Sequence, residues 1–191
     1  MTDVFEQPSS MPDLEELPDG TGVSFLAVDG RRVVMIGVGP KDRVFRSEKF
    51  GLLNVSRAID AIRTEKRRPA KTKIDEALIN HIKFVDIDLK YVFEMPEEQS
   101  DEPIIMVIAS DGTNIIDGHH RLKRRIFDRK SFVKVHILRP ETVRYMQVKV
   151  FKEDEKGTLQ PMIGMTEDAL EAEIKGGSQM ADKMYAMNRS K

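Results

Sequence analysis

The sequence is defined first by what it lacks. It contains no cysteine, so it can form no disulfide, no thiolate metal site and no cysteine nucleophile. It has no apolar run of the length of a membrane span, and its acidic first residues lack the basic-then-apolar pattern of a signal peptide. We therefore expect a cytoplasmic protein. With 191 residues, 40% of them hydrophobic and 33% charged, the chain is long enough for one globular domain with extensions.

The net charge of −1 conceals a strong segregation of charge along the chain. Residues 1–20 carry six acidic and no basic residues, and residues 94–102 add five unrelieved acids. Residues 57–73 hold seven bases and two acids, and residues 121–134 hold seven bases and one acid. Local basic surface, rather than overall charge, can bind a polyanion. For residues 57–73 taken alone, a solvated helix face is the favoured interpretation.

The most informative stretch runs from Asn114 to Arg125. Its short apolar run predicts a strand, Asp117-Gly118 predicts a sharp turn, and the basic residues that follow predict a helix. A strand–glycine–helix junction directs unpaired backbone N–H groups outward at the helix start, where the helix dipole also favours negative charge. His119, His120 and Arg121 lie in the same first turn, so the pattern is typical of a phosphate site. The alternative is an ordinary Asp-Gly turn followed by a solvated basic helix.

Residues 115–122, Ile-Ile-Asp-Gly-His-His-Arg-Leu, resemble the Gly-x-x-Arg signature of the ParB/sulfiredoxin superfamily. The order of helix, strand, strand, turn, helix and strand over residues 72–139 is similar to the core of that family. The resemblance implies an α+β fold, with a small mixed sheet, flanking helices and a strand–Gly turn–helix phosphate site. It also implies a bound nucleotide, ATP or ADP, with Mg²⁺. The two-histidine variant is especially similar to the ATPase and kinase branches.

Periodicity outlines the rest of the chain. We expect a disordered acidic arm over residues 1–20 and a single domain over 21–151. The remaining residues, 152–191, are expected to be a loosely structured Met-rich tail with a flexible joint at Gly176-Gly177. The domain is predicted to start with a β-hairpin over residues 23–38, turning at Asp29-Gly30. Further predicted elements are a helix from about residue 50 to residue 66, a helix after Thr72, and strands over residues 84–93, 104–109, 114–116, 132–138 and 143–151.

The motif supplies the candidate catalytic residues Asp117, His119, His120 and Arg121. Arg121 suits a bidentate phosphate clamp, supported by the backbone N–H groups after Gly118. The two histidines can donate to a phosphate or move a proton near neutral pH. Because adjacent helical residues point about 100° apart, we expect one to do chemistry while the other packs.

Two further sets of residues are candidates for binding. The first set is predicted to contact the phosphates of a DNA backbone and consists of Lys123, Arg124 and Arg125. The alternative is a run of charged residues on the surface. The alternation over residues 84–93 places Asp86 and Asp88 on one strand face, and Glu94 follows them. These three carboxylates are candidates for a divalent metal site. The alternative is the solvent side of an edge strand.

Three classes of function remain open. The first is nucleotide hydrolysis with metal-dependent DNA cleavage; a resemblance to plasmid-encoded fertility inhibitors of the superfamily adds a conjugation or type IV secretion component as a partner. The second is an ADP- or ATP-dependent kinase of a free amino acid, which needs a carboxylate upstream of the motif. The third is a nucleotide-switched DNA-binding protein of the partition type. Against the third, residues 140–191 show no helical DNA-reading domain.

Overall fold

The computed structural model describes residues 23–28, 31–39, 41–83, 85–162 and 166–189, and its architecture is mixed α+β. The predicted acidic arm, residues 1–20, and the predicted turn at Asp29-Gly30 lie outside the described residues. The strands are β1 Val23–Val28, β2 Arg31–Ile36, β3 Val44–Ser47, β4 Gly51–Asn54, β5 Ala70–Lys73, β6 Ile104–Ala109, β7 Gly112–Asp117, β8 Phe132–Leu138, β9 Lys149–Glu153 and β10 Leu159–Pro161. The helices are α1 Val55–Thr64, α2 Glu76–Lys83, α3 Leu89–Glu94, α4 Glu97–Ser100, α5 His119–Phe127, α6 Thr142–Met146 and α7 Glu167–Arg189.

The strands form three sheets. Strands β1 and β2 pair antiparallel with Val28 opposite Arg31, which confirms the predicted hairpin, and β9 and β10 extend them in the order β1-β2-β9-β10. Strands β3 and β4 form a separate two-stranded hairpin. The third sheet has the order β5-β8-β6-β7, in which β6 lies parallel to β8 and antiparallel to β7.

Strand β6 divides the hydrophobic core into two clusters. All six of its residues are buried, as predicted for a strand covered on both faces. Ile105, Val107 and Ala109 face one cluster, which also contains Phe50 and Leu53. Ile104 and Met106 face the other, together with Leu122 of α5 and Leu78 and Ile82 of α2. The motif helix α5 is therefore fixed against β6 by its buried Leu122, as the sequence predicts.

The helix predicted from about residue 50 begins later than expected. Residues 44–54 form the β3–β4 hairpin instead, and α1 starts at Val55. The side chain of Asn54 accepts a hydrogen bond from the N–H of Arg57 at 3.2 Å, which satisfies one of the free donors at a helix start. This cap sets the boundary, whereas Leu52, counted in the predicted apolar stripe, belongs to β4.

The prediction of a strand over residues 84–93 is wrong. Residues Leu89–Glu94 form α3, because the Asp88 carboxylate caps the helix by accepting from the N–H of Tyr91 at 3.1 Å. Only Val92 of this helix is buried, while Tyr91 and Phe93 are exposed. A strong local cap thus overrides an alternating pattern whose apolar residues do not all face the core.

The C-terminal segment is more ordered than predicted. Residues 142–146 form α6, so only part of the predicted strand over 143–151 exists, as β9. Helix α7 runs without interruption through Gly176 and Gly177 and buries Leu170, Ile174 and Ala181. A Cβ on Gly177 would lie 2.9 Å from the backbone oxygen of Ile108. The two glycines therefore allow close packing on β6 and its following turn rather than a flexible joint, and residues 167–189 are not the predicted loose tail.

None of the helices in the described ranges is long and apolar enough to cross a membrane.

Candidate functional site

The turn between β7 and α5 depends on a glycine. Gly118 has φ +94° and stands at the N-cap position of α5. A Cβ at this position would lie 2.6 Å from Cγ2 of Ile104 on β6, so both the backbone conformation and the packing exclude a side chain. The first N–H groups of α5 have no partner inside the helix. The junction therefore combines free donors with the positive end of a helix dipole, as the sequence predicts.

Arg121 lies at this junction, but both terminal nitrogens of its guanidinium are engaged by the protein, while its Nε is buried without a hydrogen-bond partner among the described residues. Nη2 donates to Oδ2 of Asp117 at 2.6 Å and to the backbone oxygen of Pro103 at 3.1 Å. Nη1 lies 3.7 Å from a carboxylate oxygen of Glu102. The Arg121 and Asp117 side chains are only 12% and 16% exposed. This geometry differs from the free phosphate clamp expected from the sequence, because the Arg121–Asp117 pair stabilises the turn between β7 and α5.

A cleft of about 300 Å³ opens beside the junction, and we name it the phosphate cleft after the ligand that the sequence motif predicts. Its polar lining comes from Asp86, Asp117, Gly118, His119, His120 and Arg43. The sequence does not predict a role for Arg43, because this residue precedes β3 and shares no motif with residues 114–125. Its side chain is 55% exposed, and Nη1 lies 3.5 Å from Oδ1 of Asp117. Arg43 is thus the guanidinium that reaches this cleft without being buried.

The backbone around Arg43 is fixed even though its side chain is exposed. The N–H of Arg43 donates to Oγ of Ser56 at 2.9 Å, and its backbone oxygen accepts from the N–H of Val55 at 2.8 Å. Both partners belong to the first turn of α1. The start of α1 therefore holds the base of the Arg43 side chain at the rim of the phosphate cleft.

His119 is enclosed between two rings. It stacks on Phe45 with the ring centroids 5.3 Å apart and on His81 with the centroids 6.1 Å apart. Burial, with a smaller effect of His81, lowers the pKa of His119 from 6.5 to about 4, because the charged imidazolium is poorly solvated there. His119 is therefore neutral at pH 7, and the expected proton transfer near neutral pH does not suit it. It can still donate one hydrogen bond and accept another.

His120 is oriented by a different neighbour. Its ring packs edge-on against Tyr91 of α3, with the centroids 5.1 Å apart. It lines the phosphate cleft together with His119. The two histidines thus approach the cleft from different surroundings, and His120 lacks the ring stack that encloses His119.

Two neighbouring clefts share walls with the phosphate cleft. One, of about 480 Å³, shares Phe45, Val85 and His119 with it and adds the polar side chains Ser47 and Asn114. The other, of about 280 Å³, shares Arg43 and Asp117 with it and is also lined by Arg63, Glu102, Arg121 and His136. We name them the Ser47 cleft and the basic cleft. The motif junction therefore borders three adjacent recesses rather than one.

The three carboxylates predicted to bind a metal are not brought together. Asp86 lines the phosphate cleft. Asp88 caps α3 instead, and Glu94 lies 4.0 Å from Lys90 on the same helix. Across the described ranges, no three histidine, aspartate or glutamate side chains form a group suited to a metal ion. The prediction rested on a strand face, which the helical turn of α3 removes.

The residues predicted to contact a DNA backbone serve α5 and its neighbours. Nη1 of Arg124 donates to three backbone oxygens at the C-terminal end of α3, the closest being that of Phe93 at 2.8 Å. Nε of Arg125 donates to the backbone oxygen of Phe132 at 2.8 Å, and its Nη1 pairs with Asp101. The Lys123 ammonium lies 5.8 Å from the centre of the Phe127 ring. The positive charge of α5 is therefore largely used within the protein.

No protein-family model, no curated protein and no solved structure matches the chain.

Proposed function

We propose that the chain is a nucleotide-binding enzyme of the ParB/sulfiredoxin type that hydrolyses ATP in the phosphate cleft. The observation that carries this proposal is the convergence of the α5 N-terminus, His119, His120 and Arg43 on one cleft of about 300 Å³. Backbone N–H groups at a helix start and a guanidinium are the donors that phosphate oxygens favour. The β6–β7 hairpin followed by Gly118 and α5, with β8 parallel to β6, is consistent with the fold that the motif implies.

Each residue of the cleft has a role in this proposal. The first N–H groups of α5 and the Arg43 guanidinium hold phosphate oxygens, while neutral His119 donates a further hydrogen bond. His120 orients the attacking water. The Ser47 cleft, which shares Phe45 and His119 with the phosphate cleft, receives the nucleoside part. Arg121 and Asp117 position the junction without touching the nucleotide.

Mg²⁺ fits the residues that are present. A nucleotide-bound Mg²⁺ needs only one or two protein carboxylates, because phosphates and water supply its other ligands. Asp86 is exposed and lines the phosphate cleft, whereas Asp117 is already engaged by two arginines. We therefore assign Asp86 as the carboxylate that would hold the ion. Bound there, Mg²⁺ would neutralise charge on the phosphates during transfer.

DNA cleavage by the same site belongs to this proposal as a second activity. A cleft that grips phosphate and holds Mg²⁺ offers the groups that phosphodiester hydrolysis needs. Inhibition of conjugative transfer, with a conjugation or type IV secretion component as partner, stays a prediction that rests on the motif resemblance alone. The same is true of a nucleotide-switched partition function.

A kinase acting on a free amino acid is the second candidate, and the basic cleft favours it. This cleft shares Arg43 and Asp117 with the phosphate cleft and adds Arg63, Glu102 and Arg121. Guanidinium groups suit a carboxylate, and the exposed carboxylate of Glu102 suits an ammonium. An acceptor bound there would lie beside the phosphates, with Asp86 as the candidate upstream carboxylate.

The proposal is tested by measuring ATP binding, together with turnover of ATP and of ADP with Mg²⁺, in wild type, Arg43→Ala and Arg31→Ala. Arg31 is a matched control, because it is 46% exposed and has one carboxylate contact at 3.3 Å, on a different sheet. Loss of one charge-assisted contact, worth about 1.5–3 kcal/mol, should weaken ATP binding by roughly 10- to 150-fold in Arg43→Ala only. Turnover that appears only with an added amino acid would favour the kinase. Absence of nucleotide binding in the wild type would refute both enzymes.

A further inference from the structure

The outer face of strands β5 and β8 is exposed and basic, and we name it the β5–β8 surface. It consists of Lys71 and Lys73 on β5 and Phe132 and Lys134 on β8, all exposed. The register places Lys71 opposite Lys134 and Lys73 opposite Phe132, and residues directly opposite on paired strands share one face. The alternate residue Val133 is buried on the other side. The strand alternation thus gathers three lysines around one aromatic ring.

The lysines of this surface are available to an anion. Lys71 and Lys73 have no carboxylate within 4.0 Å in the part of the chain that the structure describes, and Lys134 has one, Asp101, at 3.7 Å. The Lys71 ammonium lies 4.4 Å from the centre of the Phe132 ring, an attractive cation–aromatic contact that holds the two together. The charge of this surface is therefore directed outward, in contrast to that of Arg124 and Arg125.

The Phe132 ring adds an apolar face to this charge. It is 41% exposed although phenylalanine gains free energy from burial. Strand β5 lies at the edge of its sheet, so within the described ranges no further strand pairs beside this surface. A planar apolar ring surrounded by lysines is the arrangement with which proteins bind unpaired nucleotides, because bases stack on the ring while phosphates contact the cations. Paired bases in a duplex are already stacked and cannot use the ring.

We propose that the β5–β8 surface binds single-stranded nucleic acid, with a base stacked on Phe132 and adjacent phosphates contacting Lys71 and Lys73. This places the DNA contact on the β5–β8 surface rather than on α5, where the sequence predicted it. Of this surface, only Lys71 and Lys73 belong to residues 57–73, for which the sequence favoured a solvated helix face. The inference rests on DNA as the second ligand of the proposed function. It is independent of the phosphate cleft, since none of its residues lines that cleft.

The stacking contact is tested with Phe132→Leu, which keeps an apolar side chain but removes the ring. Binding of a fluorescein-labelled oligothymidine of about 12 nucleotides, within the site sizes of single-strand binders, is followed by fluorescence anisotropy. Base–aromatic stacking of about 1–3 kcal/mol predicts a loss of roughly 5- to 150-fold in affinity. Phe127→Leu is the matched control, because Phe127 is also exposed, at 46%, and lies on α5. The control should bind like the wild type.

The phosphate contacts are tested through the dependence of affinity on salt. Removing two phosphate contacts in Lys71→Gln/Lys73→Gln should reduce the slope of log K against log salt by about 1.4, at about 0.7 for each contact. The control Lys123→Gln/Lys130→Gln removes two cations of α5 and the loop after it, and should leave the slope unchanged. Equal losses in the two double variants, or in the two phenylalanine variants, would overturn the assignment.

Three further outcomes separate this inference from its alternatives. A wild type that fails to bind the oligothymidine at low salt overturns the inference. Equal loss of duplex and single-strand affinity in Phe132→Leu overturns the stacking assignment. Binding to phosphatidylserine vesicles without binding to the oligothymidine identifies the surface as a lipid contact instead. ATP turnover without DNA is measured on the same variants, and its absence in the wild type counts against the proposed function alone.

Discussion

Replacing Gly118 by alanine probes the turn on which the whole site depends. The new Cβ would lie 2.6 Å from Cγ2 and 2.9 Å from Cβ of Ile104, on a backbone with φ +94°. Gly112 is a natural control, because its φ is +144° and a Cβ there would meet nothing within 4 Å. Gly112→Ala therefore introduces backbone strain alone, whereas Gly118→Ala introduces strain together with a steric conflict against a buried strand.

Typical costs of backbone strain and of overpacking give an approximate size for the destabilisation in each variant. A side chain in a backbone region that favours glycine costs about 1–3 kcal/mol, and this applies to both variants. Overpacking a well-packed core costs about 1–3 kcal/mol more, and this applies to Gly118→Ala only. We expect a free energy of unfolding lowered by about 2–6 kcal/mol in Gly118→Ala, and by about 1–3 kcal/mol in Gly112→Ala.

Urea unfolding followed by far-UV circular dichroism measures the difference. The chain contains no tryptophan, so backbone ellipticity is a better probe than intrinsic fluorescence. A Gly118→Ala variant that is no less stable than Gly112→Ala would refute the close packing of the turn against Ile104. Gly118→Ala should also bind nucleotide more weakly at urea concentrations at which it is still folded, because the first N–H groups of α5 move with the turn.

Three further predictions address other parts of the structure. Arg121→Ala removes a partner of the largely buried Asp117 and should lower the free energy of unfolding by about 2–4 kcal/mol. Urea unfolding of the double variant Arg121→Ala/Asp117→Asn tests the pairing. A loss of unfolding free energy equal to the sum of the two single losses would contradict it. The folded state holds His119 neutral down to about pH 4 while the unfolded chain protonates near 6.5, so stability is lost as pH falls through that window. Thermal melts from pH 7 to pH 4 should show a slope shallower by up to about 1.4 kcal/mol per pH unit in His119→Phe, and an unchanged slope would argue against the burial of His119. Gly177→Ala would gain about 1 kcal/mol in an unobstructed helix, but its Cβ would lie 2.7 Å from Cγ of Pro140, so the melting temperature should fall, and a rise would restore the flexible-joint interpretation.

Much of the motif region could be predicted from sequence, because local rules and tertiary packing agree there. The apolar run of β6 is buried on both faces, and Gly118 adopts the left-handed conformation that an Asp-Gly turn favours. Leu122 of α5 is fully buried, in agreement with helical periodicity. The prediction of the β1–β2 hairpin is confirmed as well, because the register places Val28 opposite Arg31.

The remainder depended on contacts between distant parts of the chain. Arg43 and Phe45 reach the site only because the β3–β4 hairpin lies beside α5. No local sequence pattern predicts that the hairpin packs there. The basic run of α5 was misjudged because Arg124 caps α3 and Arg125 pairs with Asp101. A sequence shows the charges but not their partners, so the exposed lysines of β5 could be recognised only from the strand register.

Nucleotide binding in the phosphate cleft can be followed directly through the backbone amide signals of the isotope-labelled protein during a titration with Mg²⁺-ADP. We expect the amides of His119, His120 and Arg121 to shift most, because phosphate oxygens would accept from the first turn of α5. The amide of Phe45 should shift with them, since its ring lines the same cleft. Saturable binding that leaves these four amides unchanged, or no binding at all, would show that the nucleotide does not occupy this cleft.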